Sequence, residues 1–282
     1  MNYNEFVNPL FKQAVAAIDT GNVAALTELL ILHPQLINEQ ANFPGGGYFE
    51  TPYLIYFVAG NPIRNETIPA TILDIMQVLI KNVNQHGIYK QHQLDYTLDL
   101  IGSGRIPKES GKQIAMMDLL IDAGASPGNG AAALTHGNIN AARHLLKRGG
   151  KYTLVAAACF NETEKVEELI KNSNAGELLT ALAAAAFYGK SEMISLLLSN
   201  GALPDGYPVS EFHTHATPLH QAVYSGNLEC VKLLVVAGAD LLATDKIYYG
   251  TPLDWARHLQ TVVKDENGKE RFKQIEEYLL RV

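Results

Sequence analysis

The chain has little of what marks several protein classes. Only two of its 282 residues are cysteine, Cys159 and Cys230, far apart in sequence. So few thiols exclude a disulfide framework and point to a reducing compartment. Charged residues make up 18% and the formal net charge is −7, with a pI near 5.7. The concentrated Lys and Arg that phosphate binding needs are missing, so no nucleic-acid partner is expected. The densest basic cluster, His144, Lys147, Arg148 and Lys151, reads as a solvated helix end. No apolar run approaches the ~18 residues of a membrane helix, and the opening Met1-Asn2-Tyr3-Asn4-Glu5 lacks the basic region of a secretory signal. A cytoplasmic chain with no membrane partner is expected.

Catalytic motifs are missing as well. Gly111-Lys112 is followed by Gln113, and Ile106 stands five residues before Gly111, so a phosphate-cradling loop fails at two defining positions. Neither H-E-x-x-H nor G-x-S-x-G occurs, which removes the metalloprotease and α/β-hydrolase signatures. Cys159 as a nucleophile beside His136 competes with the plainer reading of a buried thiol in an alanine-rich helix. No enzyme activity, cofactor or resident metal is expected.

What is present is apolar and periodic. Hydrophobic residues make up 47% of the chain, enough for a folded core. The block His215-Ala216-Thr217-Pro218-Leu219-His220-Gln221-Ala222 is followed by Gly226, Leu233-Leu234 and Gly238-Ala239-Asp240. Thr217 suits an N-cap and Pro218 a first helical turn. Leu219, Ala222 and Val223 recur at helical spacing up to Gly226, and Leu228, Val231, Leu234 and Val235 form the stripe of a second helix. A second start, Thr251-Pro252-Leu253-Asp254-Trp255-Ala256, comes 34 residues after Thr217.

These residues resemble the T-P-L-H-x-A signature of ankyrin repeats, units of about 33 residues made of a β-turn and two helices. The resemblance implies an all-α solenoid, of the stand-alone bacterial type, with short β-turn fingers. Gly-stop and Leu-Leu landmarks place eight units, at about 6–38, 48–84, 91–126, 127–150, 151–174, 176–205, 210–243 and 245–282, in one domain spanning 1–282. The repeats near the N-terminus and in the centre are degenerate. Landmarks Gly124 to Gly149 and Gly137 to Asn161 are only 25 and 24 residues apart, too few for a finger as well as two helices. Extra loops are expected at 61–70 and 102–111, each between the two helices of its repeat, with a flap around Tyr48-Phe49.

The family's concave face, where partners usually lie, implies contact positions at finger tips and at the last exposed residues of each first helix. Here these are His136, Phe160, Phe187, Tyr188 and Tyr224 for the helices, with His213, Thr214, Tyr248 and Tyr249 for the fingers. Four of the five helix positions are aromatic, and rings of that kind supply contact area at low entropic cost. The plainer alternative is that neighbouring repeats pack over them. The resemblance also assigns His220 to a structural bond with the threonine hydroxyl and the next finger. His215 stands where the pattern has a turn glycine, so a positive φ is expected there. The expected function is a monomeric, non-catalytic scaffold for a protein partner. The alternative is a small-molecule or metal sensor using His213 and His215 or a pocket under Tyr48 and Phe49; a self-associating subunit is a third reading.

Overall fold

The computed structural model describes residues 8–43, 49–60, 65–209 and 212–282. They group into two compact units, Met1–Lys151 and Tyr152–Val282. Among the described residues there is no strand, and one isolated antiparallel bridge joins Gln40 and Tyr53. The chain is all-α and built from consecutive helix pairs, eight of them among the described residues.

In the first unit the pairs are α1 (Pro9–Thr20) with α2 (Val23–Leu32), a 3-10 helix (Leu54–Ala59) with α3 (Ile72–His86), and α4 (Lys90–Ser103) with α6 (Gln113–Asp122), α5 (Arg105–Glu109) lying between. α7 (Ala131–Thr135) with α8 (Ile139–Lys147) completes this unit. The second unit holds α9 (Leu154–Phe160) with α10 (Thr163–Ile170), α11 (Ala175–Phe187) with α12 (Ser191–Ser199), α13 (Pro218–Ser225) with α14 (Leu228–Val236), and α15 (Pro252–Val262) with α16 (Glu266–Leu279). First helices pack on first helices, α9 on α11, α11 on α13 and α13 on α15, while α12 meets α14 and α14 meets α16. Each repeat thus buries its apolar faces against its neighbours.

The caps follow the sequence. Thr217 and Thr251 sit in extended backbone, and their hydroxyls accept from the N–H groups of His220 and Asp254 at 3.5 and 3.2 Å. Asp254 returns a bond to the Thr251 N–H at 3.0 Å, closing a capping box. Gly226 ends α13 at φ 68°, a conformation that costs glycine nothing extra. In α11, Ala181 and Ala183 to Ala186 are fully buried, and side chains this small let α9 and α13 approach on either side.

Connection lengths confirm the shortened centre. Between α10 and α11 only residues 171–174 intervene, and between α8 and α9 only 148–153, whereas the connections 200–217 and 237–251 carry full fingers. The extra segment expected as a loop at 102–111 is instead mostly helical: α4 runs on to Ser103, and α5 follows with Ile106 and Pro107 buried. Pro107 stands within the first turn of α5, where its missing N–H removes no bond. Of the segment expected at 61–70, residues 61–64 lie outside the described residues, and α3 begins at Ile72.

Thr51-Pro52 is a Thr-Pro pair like 217–218 and 251–252, yet its threonine caps no helix. It is drawn into an extended pairing in which the Ala41 N–H donates to the Pro52 carbonyl at 3.0 Å and the Phe43 N–H to the Glu50 carbonyl at 2.8 Å. The following Leu-Ile-Tyr-Phe-Val-Ala run is buried at every position and forms a 3-10 helix. β-branched and aromatic residues favour an α-helix weakly, and no polar face is present to define one. Tyr48 lies outside the described residues. Phe49 is buried, with its ring edge-on to Phe57 at 5.9 Å, and so belongs to the core of the first unit rather than to a flap.

Candidate partner-binding surface

The second unit assembles most of the residues singled out in the sequence, and it does so from the two fingers inward. The fingers are tied side by side. The Lys246 N–H donates to the His215 carbonyl at 2.8 Å, the Tyr207 hydroxyl to the Thr244 carbonyl at 2.6 Å, and the Asp240 N–H to the Asp205 carboxylate at 2.6 Å. The Lys246 ammonium lies 4.0 Å above the Tyr207 ring, a cation–π contact.

Asp245 organises the second finger. Its carboxylate is buried and accepts from the N–H groups of Ile247, Tyr248 and Gly250 at 2.9, 2.7 and 3.0 Å, and from the Trp255 indole at 3.0 Å. Burial alone would raise its pKa, but these donors outweigh burial and lower it to about 2. Gly250, fixed in this way, turns its carbonyl toward His220 Nε2 at 3.0 Å. A carbonyl only accepts, so Nε2 carries the proton and Nδ1 accepts from the Thr217 hydroxyl at 2.8 Å. His220 is therefore neutral architecture, and burial lowers its pKa.

On this frame the tip residues are strongly exposed: Tyr248 keeps 78% of its surface and Tyr249 76%, with Ile247 beside them also exposed. Tyr249 stands at φ 57°, unusual for a bulky side chain. Thr214 is exposed on the neighbouring finger. Among the described non-glycine residues of that finger the one at positive φ is His213, at φ 39°, and not His215. The turn lies two residues earlier than glycine spacing suggests, and Ala216 N–H closes it by donating to the His213 carbonyl at 3.1 Å.

The first-helix aromatics form a connected set. Phe187 stacks on Tyr224 with centroids 5.2 Å apart and planes within 9°, and meets Tyr188 edge-on at 5.1 Å. Phe212 and His213 approach the same ring at 5.5 and 4.8 Å. Phe212 is fully buried and Phe187 and Tyr188 are half-buried, while Tyr224 is about half exposed. Burial raises the Tyr188 pKa. Phe160, by contrast, is buried against Tyr152 at 6.2 Å and presents little to a partner. His136 belongs to the first unit, exposed at the end of α7 with Nδ1 2.9 Å from the Ala132 carbonyl.

Beside Phe187 and Tyr188 opens a surface hollow of about 570 Å³, continued by the Ser225-Gly226-Asn227 turn and by Glu229, Arg271 and Gln274. The His213 and His215 rings meet edge-on at 5.7 Å, and among the described residues no third His, Cys, Asp or Glu joins them in a metal-binding group. Burial pushes both thiols up, that of Cys230 to about 12 and that of Cys159 further. Phe212, Asp245, Trp255 and Arg271 were not picked out by sequence pattern. The clue to Asp245 and Trp255 is their position flanking the second Thr-Pro start.

Residues 154–245 match the family model of ankyrin repeats in three copies. Residues 154–245 are thus ankyrin repeats, and repeats of this kind are generally protein–protein interaction modules, typically non-enzymatic. Potassium channel GORK of Arabidopsis thaliana is 41% identical over 69 residues, which are 24% of this chain and 8% of that protein. The likeness therefore concerns a small part of the channel. Among the described residues no helix is long and apolar enough to cross a membrane.

Proposed function

We propose that the protein is a non-catalytic scaffold, a cytoplasmic monomer that holds a protein partner on the concave face of its second unit. Tyr224, Thr214, Tyr248 and Tyr249 make the contact, and the stacked Phe187 and Tyr188 lie behind it. The observation that carries this reading is the tip Ile247-Tyr248-Tyr249, exposed yet fixed by four N–H donors on the Asp245 carboxylate. Large rings carried on a backbone that is already fixed gain contact area on binding at a reduced ordering cost. The neutral anchor His220 and the weakly acidic composition support a protein rather than a polyanion.

The test is affinity capture from extract of the source cells with the intact chain and with a Tyr248→Ser, Tyr249→Ser double variant as bait, each checked by circular dichroism. A partner retained by the first bait and lost by the folded second is expected. Equal retention by both overturns the assignment of the finger tip.

A further inference from the structure

The hollow beside Phe187 contains a charge that the fold leaves unused. Among the described residues of the second unit, Arg257 and Arg281 pair with Glu276 and Glu277 at 2.8 and 3.4 Å, whereas no carboxylate lies within ion-pair reach of Arg271. Its guanidinium Nε lies 3.9 Å from the position a Cβ on Gly226 would occupy, with the Phe272 ring nearer at 3.5 Å, so Arg271 lies beside that turn. The φ of 68° is what favours glycine in this turn.

Three properties of the hollow define what it accepts. One wall is aromatic, and its rings are held by their own stacking: Phe187 is fixed between Tyr224 and Tyr188. The lining also includes Arg271, whose planar donors match a carboxylate in two parallel bonds. Glu229, the remaining charge, occupies the first turn of α14, where it faces the positive end of that helix. Its charge is balanced locally, whereas that of Arg271 is not. A volume of about 570 Å³ is of the size that holds a small side-chain pair.

The geometry points to a recognition subsite for a partner segment that carries a carboxylate next to an aromatic side chain, the ring against Phe187 and Tyr188 and the carboxylate on Arg271. This rests on the partner-binding reading above and gives that partner a chemistry.

The probes are blocked dipeptides, N-acetyl-Asp-Phe-amide with its Asn and Lys counterparts, and free phenylacetate, measured by saturation-transfer NMR on the full chain. The Asp probe is expected to bind, the neutral Asn probe at least about tenfold more weakly, as follows from losing a charged hydrogen bond. Arg271→Gln removes Asp-probe binding, Arg271→Lys retains part of it, and Glu229→Gln strengthens it. These exposed positions leave the fold intact, which circular dichroism verifies. Preference for the Lys probe, with loss in Glu229→Gln, overturns the proposal, as does binding of none of the dipeptides. Phenylacetate binding without dipeptide binding makes it a free-carboxylate site instead and overturns the peptide assignment. Failure here is distinct from failure of the finger-tip reading: partner capture that needs Tyr248 and Tyr249 but not Arg271 sinks only the subsite.

Discussion

The indole N–H of Trp255 donates to the Asp245 carboxylate at 3.0 Å, so the first helix of one repeat holds the finger that precedes it. The same carboxylate serves three backbone N–H groups of the finger tip. Asp245→Asn offers one accepting oxygen and turns an amide toward the remaining donors. Leaving a buried donor unpaired costs about 1–3 kcal/mol, and a loss in that range is expected in urea denaturation followed by Trp255 fluorescence. The pH dependence has a definite sign. The folded pKa is about 2 against about 3.9 for an unfolded aspartate, so the stabilisation is complete above pH ~4 and fades as pH falls toward 2. Asn at 245 should flatten that part of the curve. A variant as acid-sensitive as the parent would show that other carboxylates set the limit.

His220 acts in a second window. Burial lowers its folded pKa below the ordinary value, so the unfolded chain takes up the proton first. Stability from this residue is present above about pH 6.5, the unfolded value, and declines as pH drops through the lowered folded pKa. Protonation puts a hydrogen on Nδ1, which then no longer accepts from the Thr217 hydroxyl at 2.8 Å. Denaturation at pH 7.5 and 5.5 should show a loss in the parent that is absent in His220→Gln, whose stability is lower at pH 7.5 by about 2 kcal/mol for two buried hydrogen bonds, a deficit that narrows at pH 5.5. A pH-independent parent would contradict this account.

Tyr249 sets stability against recognition. A non-glycine residue in left-handed backbone costs about 1–2 kcal/mol, and glycine's added chain entropy costs about 0.5–1 kcal/mol. At φ 57° the first effect is larger. Tyr249→Gly is therefore expected to raise the urea midpoint slightly while weakening partner capture. A fall in stability would mean that the exposed ring makes an intramolecular contact worth more than its strain.

Cys159 and Cys230 are both fully buried, and their thiols are shifted away from the thiolate. Alkylation needs the thiolate and access. Iodoacetamide at pH 8 is expected to leave both intact in the native chain and to modify both in concentrated guanidinium, read by mass spectrometry. Native modification of Cys159 would reveal local opening of α9.

The residues that spell the repeat were legible because each does a local job. Thr217 with Pro218, Thr251 with Pro252, and Gly226 act within one turn of chain, and the structure places each as a cap or a stop. Thr51-Pro52 carries the same letters and fails, since pairing with residues 41–43 outweighs the cap. The helical α5 was hidden by Gly104 and Pro107, which punctuate a loop as readily as a short helix. In the binding surface the exposure of Tyr248 and Tyr249 followed from finger position, but the burial of Phe160 against Tyr152 and the approach of Phe212 to Phe187 depend on tertiary packing that sequence does not record. Arg271 stood out only when its lack of a carboxylate partner among the described residues could be seen, and sequence does not record pairing.

The five buried alanines of α11 have a kinetic meaning. Alanine carries no rotamers to freeze, and the Asn174–Glu177 capping box satisfies the first turn from within the helix, Glu177 accepting the Asn174 N–H at 2.9 Å. Ordering α11 thus loses little beyond backbone freedom, and it touches α9 and α13 on two sides. Folding of the second unit is expected to begin there and spread outward one repeat at a time, with α11 amides protected first in pulsed hydrogen exchange. Earlier protection in α15 would place the starting point at the end of the stack.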